Sequence, residues 1–276
     1  MKLYNLIYLA LVTILVSGCK KDQPSTPDNT DLSQQKGALA KEYFHRNADQ
    51  VNVYEYNTLG QLKNFQYEFD GVPTERHEFV YVNGKCSSLK YYVFQKGNVP
   101  LKLKSDWSFI YNGDKLIKVT ILDLSLASNK TTNYDFTYNN KGFVATSHMK
   151  VSGPAIIQPS ILATDILYTF TTDGKGNITR EVAEFYLEGS VNQTSITNYE
   201  FDDKVNIKKG VEYPVNFSNF FCPNNWIRRE TFVRNSDPRY IETRTFEYNS
   251  ENKPIKHTHY YPDGSFPSVR DYEYFE

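Results

Sequence analysis

The sequence lacks an excess of charge of either sign. Its 31 Lys+Arg against 32 Asp+Glu give a net charge of -1, which removes any strong electrostatic case for a nucleic-acid or anionic-lipid partner. It has little methionine, 2 residues in 276, set against 22 Tyr and 18 Phe, and this balance points toward strands and against an all-α fold. Long hydrophobic runs are missing too. The single apolar stretch, Leu6 to Val16, is shorter than the roughly 20 residues that a spanning helix needs. Catalytic signatures are also missing. There is no G-x-S-x-G elbow, and Gly174-Lys175-Gly176-Asn177 lacks the strand-to-helix setting of a phosphate loop and reads as a turn.

What is present begins at the N-terminus. Lys2, the apolar run and then Val16-Ser17-Gly18-Cys19 have the order of a processed export segment, and resemble a bacterial lipoprotein signal peptide with its lipobox. That resemblance implies cleavage before Cys19 and acylation of its thiol, so that residues 1–18 are signal and the lipid bilayer is a partner through the acyl chains. Residues 19–36 contain Pro24 and Pro27 and no hydrophobic periodicity, and read as a lipid-anchored flexible tether. Lys20-Lys21-Asp22 resembles the short Lys-acidic signals of Bacteroidota-type surface lipoproteins. It implies an outer-membrane lipoprotein displayed at the cell surface, a periplasm-facing anchor being the alternative.

From residue 37 to residue 276 one unit recurs, namely two aromatics at i and i+2, then Asn or Asp with a polar or glycine-containing turn, then a second apolar run. The pairs are Tyr54/Tyr56, Phe79/Tyr81, Phe109/Tyr111, Phe136/Tyr138, Tyr168/Phe170, Tyr199/Phe201 and Phe246/Tyr248. Residues two apart on a strand share a face, so each pair lays two rings on one side of a sheet while its polar neighbours face water. Asn-Gly and Asp-Gly supply the positive φ of tight hairpins. Each unit is therefore a hairpin. Two strands per unit give about twelve in an antiparallel meander.

Tyr54-x-Tyr56-Asn57-x-x-Gly60-x-Leu62 resembles the YD-repeat of Rhs-type proteins, with Asn in place of Asp. The whole layout resembles a family of Bacteroidota lipoproteins of unknown function with a porin-like domain. The residues that carry this are Phe221-Cys222-Pro223-Asn224-Asn225-Trp226-Ile227 and Thr245-Phe246-Glu247-Tyr248-Asn249 through Lys253-Pro254-Ile255-Lys256. The resemblance implies a fold and carries no catalytic residue across. The expected architecture is a single all-β domain, residues 37–276. It is a strongly curved antiparallel meander sheet of repeated hairpins, half-barrel or porin-like in outline, and soluble. An integral porin is disfavoured by the mean hydropathy of -0.57 and by the charged alternate positions.

Val211 to Asn225 breaks the repeat with Pro214, Pro223 and the rings of Phe217, Phe220 and Phe221. It reads as a loop folded over one end of the sheet, either plugging its mouth or contacting a ligand. His257-x-His259 places two imidazoles on one strand face, but a metal centre needs three or four ligands and no Cys or third His lies nearby. No metal and no cofactor are expected. His45, His77 and His148 read as isolated residues. Cys86 and Cys222 are left either as a disulfide, which on the chain-entropy picture stabilises by about 4 to 5 kcal/mol, or as two free thiols. Trp107, Trp226, Tyr260 and Tyr261 are the candidate ligand contacts, as platforms for sugar stacking. The expected role is a non-enzymatic cell-envelope binding or scaffold protein, its partner a glycan or an envelope protein. The alternatives are a glycan-capture accessory and a hydrolase with an unrecognised carboxylate pair.

Overall fold

The computed structural model describes residues 37–45, 50–95, 99–125, 130–158, 161–210, 213–233 and 240–276. The export segment, Cys19 and the tether lie outside these. Sixteen strands are found among the described residues: β1 (Leu39–Phe44), β2 (Gln50–Tyr56), β3 (Leu62–Phe69), β4 (Val72–Val82), β5 (Lys85–Gln95), β6 (Val99–Asn112), β7 (Lys115–Asp123), β8 (Lys130–Tyr138), β9 (Val144–Gln158), β10 (Ile161–Thr172), β11 (Ile178–Leu187), β12 (Ser190–Val205), β13 (Asn224–Val233), β14 (Tyr240–Tyr248), β15 (Pro254–Tyr260) and β16 (Ser268–Tyr274). One short helix, α1 (Phe217–Phe220), lies between β12 and β13.

Every strand pairs antiparallel with its neighbours in sequence, and β16 returns to pair with β1, with Glu42 opposite Tyr272 and Phe44 opposite Arg270. This corrects the expected open, half-barrel sheet. The sheet is a closed barrel, so it has no free edge. The expected count of about twelve also falls short, both of the fourteen strands that seven units of two make and of the sixteen found among the described residues. Each of the seven aromatic pairs lies on an even-numbered strand, β2 to β14, and each unit contributes that strand and the next. Seven units make β2 to β15, and β16 and β1 flank them. Strand β16 carries an eighth pair, Tyr272 and Tyr274, and β1 takes the place of the strand that would follow it. The seam is thus an eighth unit assembled from the two ends of the domain.

Local chemistry explains the shape of one rim. In four of the turns there, an Asn or Asp side-chain oxygen accepts the backbone N–H groups two and four residues on. Asn139 takes those of Lys141 and Phe143 at 3.0 Å each, and Asn57, Asp173 and Asn249 do the same. The residue three beyond the Asx has positive φ. In the turn from Asp173 it is Gly176 at φ 94, where an added Cβ would stand 2.8 Å from the Phe143 ring. Beside these turns the pairing slips by one residue, at Glu55/Tyr56, Thr137/Tyr138, Thr171/Thr172 and Glu247/Tyr248, and it slips similarly at Val80/Tyr81 and Ile110/Tyr111. A bulge bends its strand and increases the local twist. The register shifts toward the opposite rim as well, at Tyr67/Glu68, Tyr91/Tyr92 and Phe185/Tyr186, so the wall is bent at both ends.

The ladder registers place the aromatic pairs together on the inner face. Phe109 lies opposite Val119, and Tyr168 opposite Ala183, and both contacts belong to the buried interior. The outer face is charged. Lys118 faces Asp135 at 3.8 Å, Arg228 faces Glu200 at 2.9 Å and Lys256 faces Glu247 at 3.6 Å. Such exposed pairs contribute about 0–1 kcal/mol each, so they report solvation more than stability.

Candidate functional site

A sixteen-strand barrel is wide enough to leave a channel unless something occupies it. Here the segment between β12 and β13 folds inward from the bulged rim. Phe217 of α1 meets Phe170 at 4.9 Å, Tyr168 at 4.8 Å and Phe136 at 6.3 Å, and Phe221 meets Phe136 at 5.4 Å. Cys222, fully buried, accepts the Ile178 N–H at 3.1 Å. The segment is a plug. Asn206 fixes its base by donating to the Asn219 carbonyl at 2.7 Å and the Cys222 carbonyl at 3.0 Å.

Toward the other rim the interior stays open as two adjoining recesses, which share Glu75 and Tyr213. One, of about 440 Å³, is lined by Phe44, Tyr54, Phe65, Tyr67 and His77 with Asn52, Lys208 and Arg270. The other, of about 690 Å³, is lined by Tyr91, Trp107, Ile121 and Val215 with Lys104, Ser105 and Asp123. Their shared wall is a ladder of rings built by strand register. Phe65 lies opposite His77 and His77 opposite Tyr91, and the rings stack at 4.1 and 4.7 Å between centroids. Tyr213 of the plug closes this ladder from below. Its ring lies 5.1 Å from Trp107 and its hydroxyl 2.5 Å from His77 Nδ1. Burial lowers the His77 pKa, so its imidazole is neutral, while the nearby Glu75 opposes that shift and is itself held below its ordinary value. Asp123 accepts both the backbone N–H and the hydroxyl of Ser125, at 2.8 and 2.6 Å. Glu75 and Asp123 stand on β4 and β7, three strand spacings or roughly 14 Å of wall apart.

Across the lumen lies a denser polar cluster. Arg229 donates to Glu242 at 2.5 Å and His259 contacts the other Glu242 oxygen at 2.8 Å, while the Arg244 guanidinium lies 3.6 Å from the Trp226 ring centre. At the seam Glu42 is wholly buried and accepts from Arg270 at 2.7 Å, Lys208 at 2.9 Å, and Asn52 and Tyr54 at 3.0 Å each. The two cations outweigh its desolvation and hold its carboxyl far below the usual range. Glu181 shows the opposite balance. Desolvation pushes it up to about 7, outweighing the lowering by the Arg229 charge and the Tyr199 hydroxyl. No group of three or more His, Cys, Asp or Glu among the described residues is arranged to hold a metal ion.

The four candidate ligand contacts do not converge. Trp107 lines the larger recess, its indole N–H donated to Ser105 at 2.8 Å. Trp226 is 2% exposed and capped by Arg244. Tyr261 packs on His259 at 4.3 Å, and Tyr260 is 45% exposed and borders no described recess. Cys86 and Cys222 are both free thiols. His257 and His259 share the inner face. The residues that sequence reasoning passed over are His77, Glu75, Tyr91 and Tyr213. The signal for two of them was present, since Glu75 and His77 continue the parity of Phe79/Tyr81 onto the inner face.

Fold and site together define a closed, plugged antiparallel β-barrel with an aromatic recess at one end. No protein-family model matches the chain and no curated protein matches it. Among solved structures it is similar to a porin-like protein from Bacteroides vulgatus ATCC 8482, with TM-score 0.56 and 12% identity over 86% of this chain and 98% of that one. A porin-like protein from Bacteroides uniformis ATCC 8492 matches at TM-score 0.46 and 10% identity, over 87% and 97% of the respective chains. At such identities the first likeness establishes the fold alone.

Proposed function

We propose that the domain is a non-enzymatic binding protein of the cell envelope that receives a ring-shaped polar ligand, a sugar unit, in the two adjoining recesses lined by Phe65, His77, Tyr91, Trp107 and Tyr213. The observation that carries this reading is the pairing of the Tyr91, Trp107 and Tyr213 rings with Glu75, Lys104, Ser105 and Asp123 in one recess. Sugars present C–H faces to aromatic planes and hydroxyls to such edge groups. A binding role is favoured over hydrolysis by the engagement of Asp123 with Ser125 and by the span of wall between it and Glu75.

Anchorage follows the export signal. Cys19 takes the acyl chains and residues 19–36 tether the barrel at the outer surface of the outer membrane. The charged outer wall supports a barrel that stands in water, since a lipid-facing barrel carries an apolar band about 25 Å tall. An oligosaccharide array probed with the full-length chain in mild detergent tests the binding reading. The expected result is a reproducible hit that Tyr91→Ala and Trp107→Ala each weaken by roughly tenfold. A flat array, with Tm unmoved by the same sugars, overturns it.

A further inference from the structure

Beneath the smaller recess lies a second, more enclosed cavity of about 140 Å³, walled by the base of the plug and by β13 to β16. Its lining is polar where the recesses are aromatic. Lys208, Arg244 and Arg270 contribute three cationic groups, Asn206 and Asn225 contribute amides, and no acidic side chain lines it among the described residues. Glu42 does not line the cavity, but its two oxygens hold Lys208 Nζ and Arg270 Nη1 and so fix where those cations stand. Arg244 is fixed by the Trp226 ring beneath it. The cations are therefore preorganised, which is the condition under which guanidinium and ammonium groups bind oxyanions well.

A second, independent feature points the same way. His257 lines this cavity at 3% exposure, and its Nδ1 lies 2.5 Å from the Tyr272 hydroxyl. Its Nε2 is buried with no hydrogen-bond partner. An orphaned buried ring nitrogen costs free energy unless something in the cavity meets it. When the Tyr272 hydroxyl donates to Nδ1, the neutral ring carries its proton on Nε2 and becomes a donor. The volume far exceeds the roughly 15 Å³ that one water requires.

The geometry points to this cavity as an oxyanion site, for a phosphate, sulfate or carboxylate group bound by Lys208, Arg244, Arg270 and the Nε2–H of His257. Because Lys208 and Arg270 also line the smaller recess, the oxyanion is either a free ion or the acidic group of a ligand whose ring lies in that recess. The second source rests on the binding reading above, whereas the first stands without it.

The test is calorimetric titration and thermal melting of the full-length chain with inorganic phosphate, sulfate, glucuronate and glucose, against chloride at matched ionic strength. Phosphate or sulfate is expected to bind and to raise Tm where chloride does not. Arg244→Gln and His257→Gln are each expected to weaken that binding by roughly tenfold, while Tyr260→Ser on the exposed face leaves it unchanged. Glucuronate binding at least tenfold tighter than inorganic sulfate assigns the site to an acidic ligand, and equal or weaker binding assigns it to a free ion. If Arg244→Gln fails to fold, His257→Gln and the wild-type titrations decide. The absence of any effect of phosphate, sulfate and glucuronate beyond chloride overturns the site, whatever neutral sugars do. Oxyanion binding that His257→Gln and every folded Arg244 variant leave intact overturns it as well.

Discussion

Glu42 is the residue whose replacement tests the barrel seam most directly. It stands on β1, fully buried, and its carboxylate joins three elements, with Arg270 on β16 at 2.7 Å, Lys208 at the base of the plug at 2.9 Å, and Asn52 and Tyr54 on β2 at 3.0 Å. Glu42→Gln keeps the shape and one acceptor oxygen but removes the charge that both cations face. Breaking one side of a buried ion pair costs about 3–5 kcal/mol, and the conservative shape places this change near 3. At about 2–4 °C per kcal/mol for a domain of this size, Tm should fall by about 6–12 °C in circular-dichroism melts at neutral pH. The pH dependence supplies an internal control. The native pKa of Glu42 lies below its ordinary value of 4.5, so its stabilisation is fully present above that value and is lost as pH falls through it toward the native pKa. The deficit of the variant relative to wild type should therefore narrow below about pH 4.5. A Tm within about 2 °C of wild type at neutral pH, or a deficit that does not change with acidification, would refute the claim that this carboxylate fastens the seam.

Gly176→Ala is expected to destabilise by about 1–3 kcal/mol, because Gly176 sits at φ 94 and a Cβ there meets the Phe143 ring at 2.8 Å. Urea titration at unchanged m-value checks it, and an unchanged midpoint would contradict it. Cys86 and Cys222 should both alkylate in unfolded, unreduced protein, and in the native state Cys222 should react far more slowly than a solvent-exposed thiol. It is fully buried, and burial pushes both thiols up to about 12. Mass spectrometry with and without reductant reads this directly. Protection of either thiol that only reductant relieves would show the assignment to be mistaken.

Much of the interior wall was legible in the sequence because its determinants are local. The spacing of two between Tyr168 and Phe170, or Phe246 and Tyr248, fixes a shared face by the pleat of a strand, whatever the sheet does beyond it. The turn from Asn139 to Phe143 is likewise set by its own residues, through two side-chain-to-backbone hydrogen bonds and a positive φ at Gly142. The site was only partly legible. Trp107 was found by residue type and lines the recess, but Tyr260 was found the same way and lies on an exposed face. His77 has no unusual neighbour in sequence, and its place between Phe65 and Tyr91 comes from the register of three strands.

The sequence by itself determined which rings share a face and the turns that follow them, since each depends on residues at most a few positions apart. Tertiary structure alone decided that the sheet closes. Leu39–Phe44 and Ser268–Tyr274 carry no local mark of being partners, and their pairing depends on curvature accumulated over fourteen intervening strands. It also decided that the segment after β12 turns inward, because the apolar rings of Phe217 and Phe221 find their burial only once the barrel around them exists. The recess, the buried Glu42 and the cationic cavity all follow from that closure, which brings residues more than two hundred positions apart within hydrogen-bonding distance.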